Sequence, residues 1–168
     1  MTKKKIIVII AAAVAAIALL AGLGVYLSSV FSSDGGSKSG KATITVGSVS
    51  GEVGKTVRVP VKISDNPGAM GFFLQFEFDN EALEYISFEK GELLTDCEVS
   101  GGNGSLKLIS VEENDVKKDG TLVYLTFKVR DGASGDCEIK LICDENSVCN
   151  YNEESIAINA VNGKISVK

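Results

Sequence analysis

Apolar and polar residues alternate with a period of two along most of the chain after residue 41, a pattern typical of half-buried β-strands. The segment 70–79, MGFFLQFEFD, shows it most clearly, and one parity of this segment is apolar throughout: Met70, Phe72, Leu74, Phe76 and Phe78. We expect that parity to be buried. The other parity holds Gly71, Gln75 and Glu77, and among them Phe73 places an aromatic ring on the solvated face. The ring is either open to a partner beside the space left by Gly71, or covered by a loop of its own domain.

The same alternation predicts about nine strands, with turn signals every 8–14 residues and no convincing helix. The predicted strands are 42–46, 55–64, 70–79, 106–112, 121–129, 137–143 and 164–167, with two short strands between residues 83 and 100. Residues 48–55 are predicted to be a polar turn, and residues 80–83 to form one helical turn at most. Pro60 cannot donate a backbone hydrogen bond, so its strand should have an exposed edge or a bulge there. The pattern predicts an all-β, antiparallel β-sandwich.

The first 40 residues differ in composition from the rest of the chain. Three lysines precede the uncharged stretch 6–27, whose 22 residues would span about 33 Å as a helix, enough to cross a membrane. We therefore expect a basic cytoplasmic tail at 1–5, one N-terminal transmembrane helix that acts as a signal anchor at 6–27, and a flexible Gly/Ser-rich linker at 28–40. The positive-inside rule then places residues 41–168 outside the cell. Cleavage of the apolar segment as a signal peptide, which would release a secreted domain, is the alternative.

Charge and residue usage in the outer domain argue against several classes of function. Residues 41–168 hold 13 of the 17 Lys and Arg residues and 21 of the 22 Asp and Glu residues, a net charge of −8. This acidity argues against nucleic acid as a partner and would suit a basic protein. The chain has no His, the usual base for a Ser or Cys nucleophile, and its adjacent carboxylates do not resemble the converging pair of a glycosidase. We expect no catalytic residues and no cofactor.

Four cysteines lie in the predicted extracellular part: Cys97, Cys137, Cys143 and Cys149. An even number outside a membrane permits two disulfides, whose connectivity the sequence leaves open. Cys143 and Cys149 flank a short polar segment and could close a hairpin, so they are the first candidate pair. Four free thiols are the alternative.

Few residues of the chain are suited to bind a metal ion or a sugar. No CxxC pair, His or EF-hand loop is present, so we expect no metal site, although Asp144, Glu145 and Asn146 could offer oxygen ligands to a loop calcium. Sandwiches that bind polysaccharide usually present a row of Trp or Tyr rings. This chain has no Trp, and outside the apolar segment only Tyr85, Tyr124 and Tyr151. A surface carbohydrate-binding or adhesin-like sandwich, with polysaccharide as its ligand, is thus a second hypothesis behind a protein-binding module.

Four segments, taken in order, resemble the bacterial cellulosomal cohesin family. They are GEVGKTVRVPVKI (51–63), FDNEALEYISFEKGELL (78–94), DGTLVYLTFKV (119–129) and VNGKISV (161–167). The resemblance runs from about residue 43 to residue 167. It implies a nine-stranded jelly-roll sandwich. It also implies a non-catalytic function at the cell surface: docking of dockerin-bearing enzymes or scaffoldins of plant polysaccharide degradation.

The resemblance also implies which residues contact the dockerin, since in that family the partner lies on one sheet. The implied contact positions, on three strands, are Gly71, Phe73, Gln75, Ser110, Glu112, Glu113, Glu138 and Lys140. Positions 71 and 73 are often polar in the family. Because Gly and Phe stand there in this chain, we expect an apolar interface anchored by an aromatic ring.

Overall fold

The computed structural model describes residues 41–168, which form twelve β-strands. The predicted tail 1–5, membrane anchor 6–27 and linker 28–40 lie outside the described residues. Within residues 41–168 no helix is long and apolar enough to span a membrane. The strands are β1 Lys41–Val46, β2 Ser48–Gly51, β3 Thr56–Ser64, β4 Ala69–Phe78, β5 Leu83–Lys90, β6 Glu98–Gly102, β7 Ser105–Val116, β8 Gly120–Val129, β9 Gly135–Ile142, β10 Val148–Cys149, β11 Ala157–Val161 and β12 Gly163–Val167.

The strands form two sheets that pack face to face. The five-stranded sheet has the order β11-β1-β3-β8-β5. The seven-stranded sheet has the order β2-β12-β9-β4-β7-β6, and its seventh strand, β10, pairs with β4. The predicted all-β sandwich is confirmed. The predicted count of nine and the purely antiparallel pairing are wrong, since β2, β10 and β11 are additional strands and the pairs β1–β11 and β2–β12 are parallel. The predicted turn at 48–55 in fact begins with β2.

The hydrophobic core lies between the sheets. The apolar parity of β4 supplies one side of it, as predicted from the alternation: Met70, Phe72, Leu74, Phe76 and Phe78 are all buried. From the opposite sheet, the Phe127 ring packs edge-on against Phe78, with ring centroids 5.0 Å apart. The core cluster begins at Ala42 and ends at Ile165. Residues 41–168 therefore contain a complete core of their own.

The chain crosses between the sheets at two adjacent points. β1 continues into β2 at Gly47, β11 continues into β12 just before Gly163, and the two crossings run side by side because both strand pairs are parallel. A Cβ on Gly163 would lie 2.4 Å from the Gly47 carbonyl oxygen, so only glycine fits there. This close approach joins the first and last strands of the domain across both sheets.

The sequence predicts an edge or a bulge at Pro60, and the structure shows both features beside it. β1 pairs with β3 only as far as Val61, so Pro60 lies just past the end of that ladder. Its carbonyl oxygen accepts a hydrogen bond from the Gly47 N–H at 2.7 Å. The Pro60 nitrogen, which carries no hydrogen, points to the same side as this carbonyl oxygen. Because the β1–β3 ladder has already ended there, no backbone donor is needed from Pro60. On the other side of β3, the register with β8 shifts between Val61 and Lys62.

Candidate functional site

Five of the eight predicted contact residues lie on the outer face of the seven-stranded sheet. Gly71, Phe73 and Gln75 follow one another at alternate positions of β4, and Glu138 and Lys140 do so on β9. The intervening residues of both strands are buried, so these five positions face away from the core. β4 and β9 are direct neighbours in the sheet, so the two sets share one surface.

An apolar patch occupies one half of this outer face. Phe73 is directly opposite Ile109 of β7, and Val111 follows on the same face of that strand. Ile142 of β9 is opposite Gln75 and is 41% exposed, while the other three apolar residues are partly exposed. Phe73 and Ile109 are a facing pair, and facing side chains of paired strands lie roughly 4.5–5.5 Å apart. Ile142 is a diagonal neighbour of Phe73, and diagonal neighbours lie roughly 7–8 Å apart, within reach of aromatic and long side chains. The apolar patch comprises Phe73, Ile109, Val111 and Ile142.

Charged and polar side chains form the other half. Glu77 of β4 is opposite Lys140 of β9. Farther along, the Lys164 ammonium lies 2.6 Å from Asp136, and the Ser166 hydroxyl donates to the same carboxylate at 2.7 Å. The pKa of Asp136 is held below its usual value by these two hydrogen bonds, and the bond from Lys164 has the larger effect. The outer face thus combines an apolar half with a charged half.

Ser110 and Glu112 do not lie on the outer face, so their predicted contact role is wrong. They are 3% and 5% exposed, and they share the parity of the buried Leu108. A slip of one residue in register moves every side chain of a strand to the opposite face, and positions 109 and 111 are the outward ones. Glu113 is exposed, in the part of β7 where the register with β4 shifts.

Glu112 instead holds the segment between β5 and β6 against the sandwich. Its two carboxylate oxygens accept the Thr95 N–H at 3.1 and 3.0 Å, and one of them accepts the Thr95 hydroxyl at 2.7 Å. The Ser110 hydroxyl lies 2.9 Å from the carboxylate and 2.7 Å from the Asp96 carbonyl oxygen, so these two acceptors share its proton. Among the described residues, no buried side-chain nitrogen or oxygen lacks a partner. The carboxylate therefore has a structural role.

The space above Gly71 is filled, contrary to the expectation of an open site beside Phe73. β10 pairs Cys149 directly with Gly71. A Cβ on Gly71 would lie only 2.8 Å from the Cys149 Sγ. Along the same strand edge, the Phe73 N–H donates to the Ser147 carbonyl oxygen at 2.7 Å. The loop before β10 thus runs beside Phe73, whose ring stays partly exposed.

All four cysteines are free thiols in the structure, so the predicted Cys143–Cys149 bridge is not formed. Cys143 follows the exposed Ile142 and packs against the core. Cys149 follows the fully buried Val148, so its thiol points to the outer face. Two thiols on opposite faces cannot bond without movement of the backbone.

The thiols are expected to be unreactive in the folded protein. Burial, reinforced by the Asp144 carboxylate, raises the pKa of Cys143 to about 11, and burial also raises the pKa of the other three cysteines. Because the thiolate is the reactive form, alkylation near neutral pH should be slow until the protein unfolds. Thiol titration of native and denatured protein checks this, with four thiols found after denaturation and no effect of reductant on Tm. Fewer than four thiols in denatured, unreduced protein would reveal a disulfide.

The described residues provide neither a metal cluster nor an aromatic row. No group of three or more potential ligand side chains in residues 41–168 could hold a metal ion. The Asp144 carboxylate closes a turn, accepting the Asn146 N–H at 2.8 Å. The Arg58 guanidinium covers the Tyr124 ring at 3.6 Å, Tyr85 is half-buried, and Tyr151 lies in the loop after β10. Residues 41–168 therefore present no row of exposed aromatic faces on which sugar rings could stack.

Comparisons with known proteins agree with this architecture. The family model of the cohesin domain matches residues 42–167. Cellulose-binding protein A of Clostridium cellulovorans is 33% identical over an alignment of 96 positions, which covers 52% of this chain and 5% of that protein. The chain therefore corresponds to a small part of that much longer relative.

Solved structures show the same fold. The cohesin CaCohA2 of Clostridium acetobutylicum, in complex with CaDoc0917, is 26% identical and has a TM-score of 0.70, covering 76% of this chain and 100% of that chain. A non-cellulosomal cohesin from the hyperthermophilic archaeon Archaeoglobus fulgidus is 23% identical and has a TM-score of 0.68, covering 76% of this chain and 91% of that chain. Since the family model spans nearly the whole described region and the two-sheet fold agrees with it, the chain belongs to the cohesin family.

Proposed function

We propose that residues 41–168 form a non-catalytic docking module, which binds the dockerin module of another protein through the outer face of the seven-stranded sheet. The observation that carries the proposal is the family match over residues 42–167, together with an exposed apolar patch on one sheet. The solved CaCohA2 structure supports it, because that cohesin is in a complex with CaDoc0917. A contiguous apolar surface bordered by polar residues is typical of a protein interface.

The apolar patch determines the chemistry of the proposed interface. Phe73 and Ile142 are its most suitable anchors, since aromatic and apolar side chains that become fully buried contribute most binding energy. Glu77 and Lys140 at the polar side would orient the partner more than they tighten its binding. The net charge of −8 over residues 41–168 favours a partner with basic residues around its contact surface.

A titration of residues 41–168 against a panel of purified dockerins and soluble polysaccharides tests the proposal. We expect at least one dockerin to bind with a Kd of ~1 μM or tighter, and no polysaccharide to compete. Binding to polysaccharide in the absence of any dockerin binding would overturn the proposal and favour a carbohydrate-binding sandwich.

We propose in addition that the module is displayed on the outside of the cell membrane. The support is the sequence: lysines at positions 3–5, the uncharged stretch 6–27, and the Gly/Ser-rich stretch 28–40 before β1. A single outer module on such a tether would hold dockerin-bearing proteins at the cell surface. Enzymes or scaffoldins of plant polysaccharide degradation are the proposed partners, since the relative in Clostridium cellulovorans is a cellulose-binding protein.

The full chain is expected to sediment with membranes and to resist extraction by carbonate or high salt. Removing residues 1–30 should release a soluble domain that is folded, because the core cluster lies between Ala42 and Ile165. Fractionation of the two forms measures the difference. A mature N-terminus at residue 18 or later would show instead that the apolar segment is a cleaved signal peptide.

A further inference from the structure

On the outer face, the Cys149 side chain occupies the space that a side chain at position 71 would need. They are directly opposite each other in the β10–β4 pair. With the Cys149 Sγ 2.8 Å from the position of a Cβ at residue 71, no side chain can be added there unless the thiol moves. Protein interiors and strand pairs are packed too closely to absorb such an overlap without cost. The space is therefore filled from β10, and β4 passes beneath it without a side chain.

The backbone at Cys149 is held from two sides. Its chain neighbour Val148 is fully buried and holds β10 to the core. On the other side, Cys149 forms an isolated β-bridge with Ser155. The turn between them is closed by Asn150, whose side-chain oxygen accepts the N–H groups of Asn152 and Glu154 at 3.0 and 2.9 Å. The backbone of β10 is thus fixed, so the thiol can leave Gly71 only by rotating about its own Cα–Cβ bond.

The thiol borders the apolar patch. Gly71, which it covers, is opposite Val111 of β7 and two positions from Phe73 on the same face. Of the four cysteines, all within the described residues, Cys149 is the one that is not part of the core or packed against it, and it remains partly exposed. A thiol is small, polarizable and a weak hydrogen-bond donor. An aliphatic or thioether side chain of a partner would match such a surface.

We propose that Cys149 is a specificity-determining contact residue of the docking face, supplying from β10 the side chain that β4 lacks at Gly71. The inference rests on the docking function proposed above. It requires that the effect on stability of a side chain at residue 71 depend on which side chain is present at residue 149. It also requires the size and polarity of residue 149 to select among dockerins by the side chain that they place over it.

Melting curves test the packing. Gly71→Ala should lower Tm by ~4–8 °C, because its Cβ overlaps the thiol sulfur. Adding Cys149→Ala removes that sulfur, so the double variant should recover at least half of the shift. If Gly71→Ala melts like the wild type, or if the two shifts simply add, the sulfur does not occupy the space of the missing side chain and the inference is overturned.

Binding isotherms test the contact. For a dockerin that binds the wild type, Cys149→Ala should weaken binding roughly tenfold and Cys149→Asp roughly a hundredfold or more, since the charge would be buried without a partner. Cys97→Ala is the matched control, because Cys97 packs against the core, and it should bind as the wild type does.

The outcomes separate the two proposals. A dockerin that binds wild type and folded Cys149→Asp equally would overturn the role of Cys149 and leave the docking function standing. A wild-type protein that binds none of the dockerins would overturn the docking function and with it the contact role of Cys149, even if the melting curves show the coupling.

Discussion

Phe72→Ala is expected to lower the free energy of unfolding by about 3–5 kcal/mol, because it removes a ring from the closely packed core and leaves a cavity. Phe72 is 3% exposed and lies between Ser110 of β7 and Val148 of β10 in the sheet. Neither neighbouring strand can close over the gap without losing its own pairing. Urea denaturation of residues 41–168, followed by circular dichroism, measures the loss.

Phe73→Ala is the matched control for this stability effect and the main test of the docking face. Its ring lies on the opposite side of the same strand and is partly exposed, so the substitution should cost less than about 1 kcal/mol of folding stability. It should weaken dockerin binding by ~2 kcal/mol or more, roughly thirtyfold, because the ring anchors the apolar patch. Phe73→Asp, which replaces the ring by a charged side chain, should shift the preference among dockerins.

Two results would contradict these expectations. If Phe73→Ala melts as early as Phe72→Ala, the Phe73 ring contributes to the core and its place on the outer face is wrong. If Phe73→Ala melts normally and binds a cognate dockerin unchanged, the outer face of the seven-stranded sheet is not where the partner docks.

Glu112→Ala is expected to cost about 3 kcal/mol of folding stability. The substitution removes the charged acceptor of the hydrogen bonds from the Thr95 N–H and hydroxyl, and hydrogen bonds to a charged group contribute about 1.5–3 kcal/mol. Glu112→Gln keeps one acceptor oxygen and should cost less, about 1–2 kcal/mol. Denaturant unfolding of both variants measures the difference.

Glu77→Ala is the control, because Glu77 is an exposed carboxylate on the outer face of β4. It should change the free energy of unfolding by less than ~0.5 kcal/mol. Folded Glu112→Ala should bind a dockerin as the wild type does, since the carboxylate is on the inner side of β7. Equal stability of the two variants would show that Glu112 does not hold the segment before β6, and weakened binding by folded Glu112→Ala would return it to the docking face.

The faces of β4 are predictable from the chain alone. Its buried parity is apolar at five successive positions, and its other parity is mostly polar, so only one orientation of the strand satisfies the core. The opposite surroundings of Phe72 and Phe73 follow from that pattern without knowledge of any other strand. The same reasoning predicts the all-β class and the irregularity at Pro60.

β7 shows where this reasoning fails. Its two parities are both partly apolar, with Leu108 on one and Ile109 on the other, so alternation does not identify the inner face. Its buried parity ends in Ser110 and Glu112, which are polar residues of the kind expected outside. They are buried because Thr95 and Asp96, which adjoin each other in the segment before β6 and are distant from β7 in sequence, supply hydrogen-bonding partners. A local pattern cannot include partners that the fold brings in from another segment of the chain.

Local alternation states which side chains of a strand share a face, because the geometry of a strand is fixed by its own backbone. It does not state which strand lies alongside, because pairing depends on contacts between residues far apart in the chain. The parallel pair β1–β11 joins residues near the two ends of the domain, and the meeting of Gly71 with Cys149 depends on a two-residue strand between loops. Such short strands carry too few residues for a periodic signal, and the register that positions them is determined by the packing of the whole sandwich.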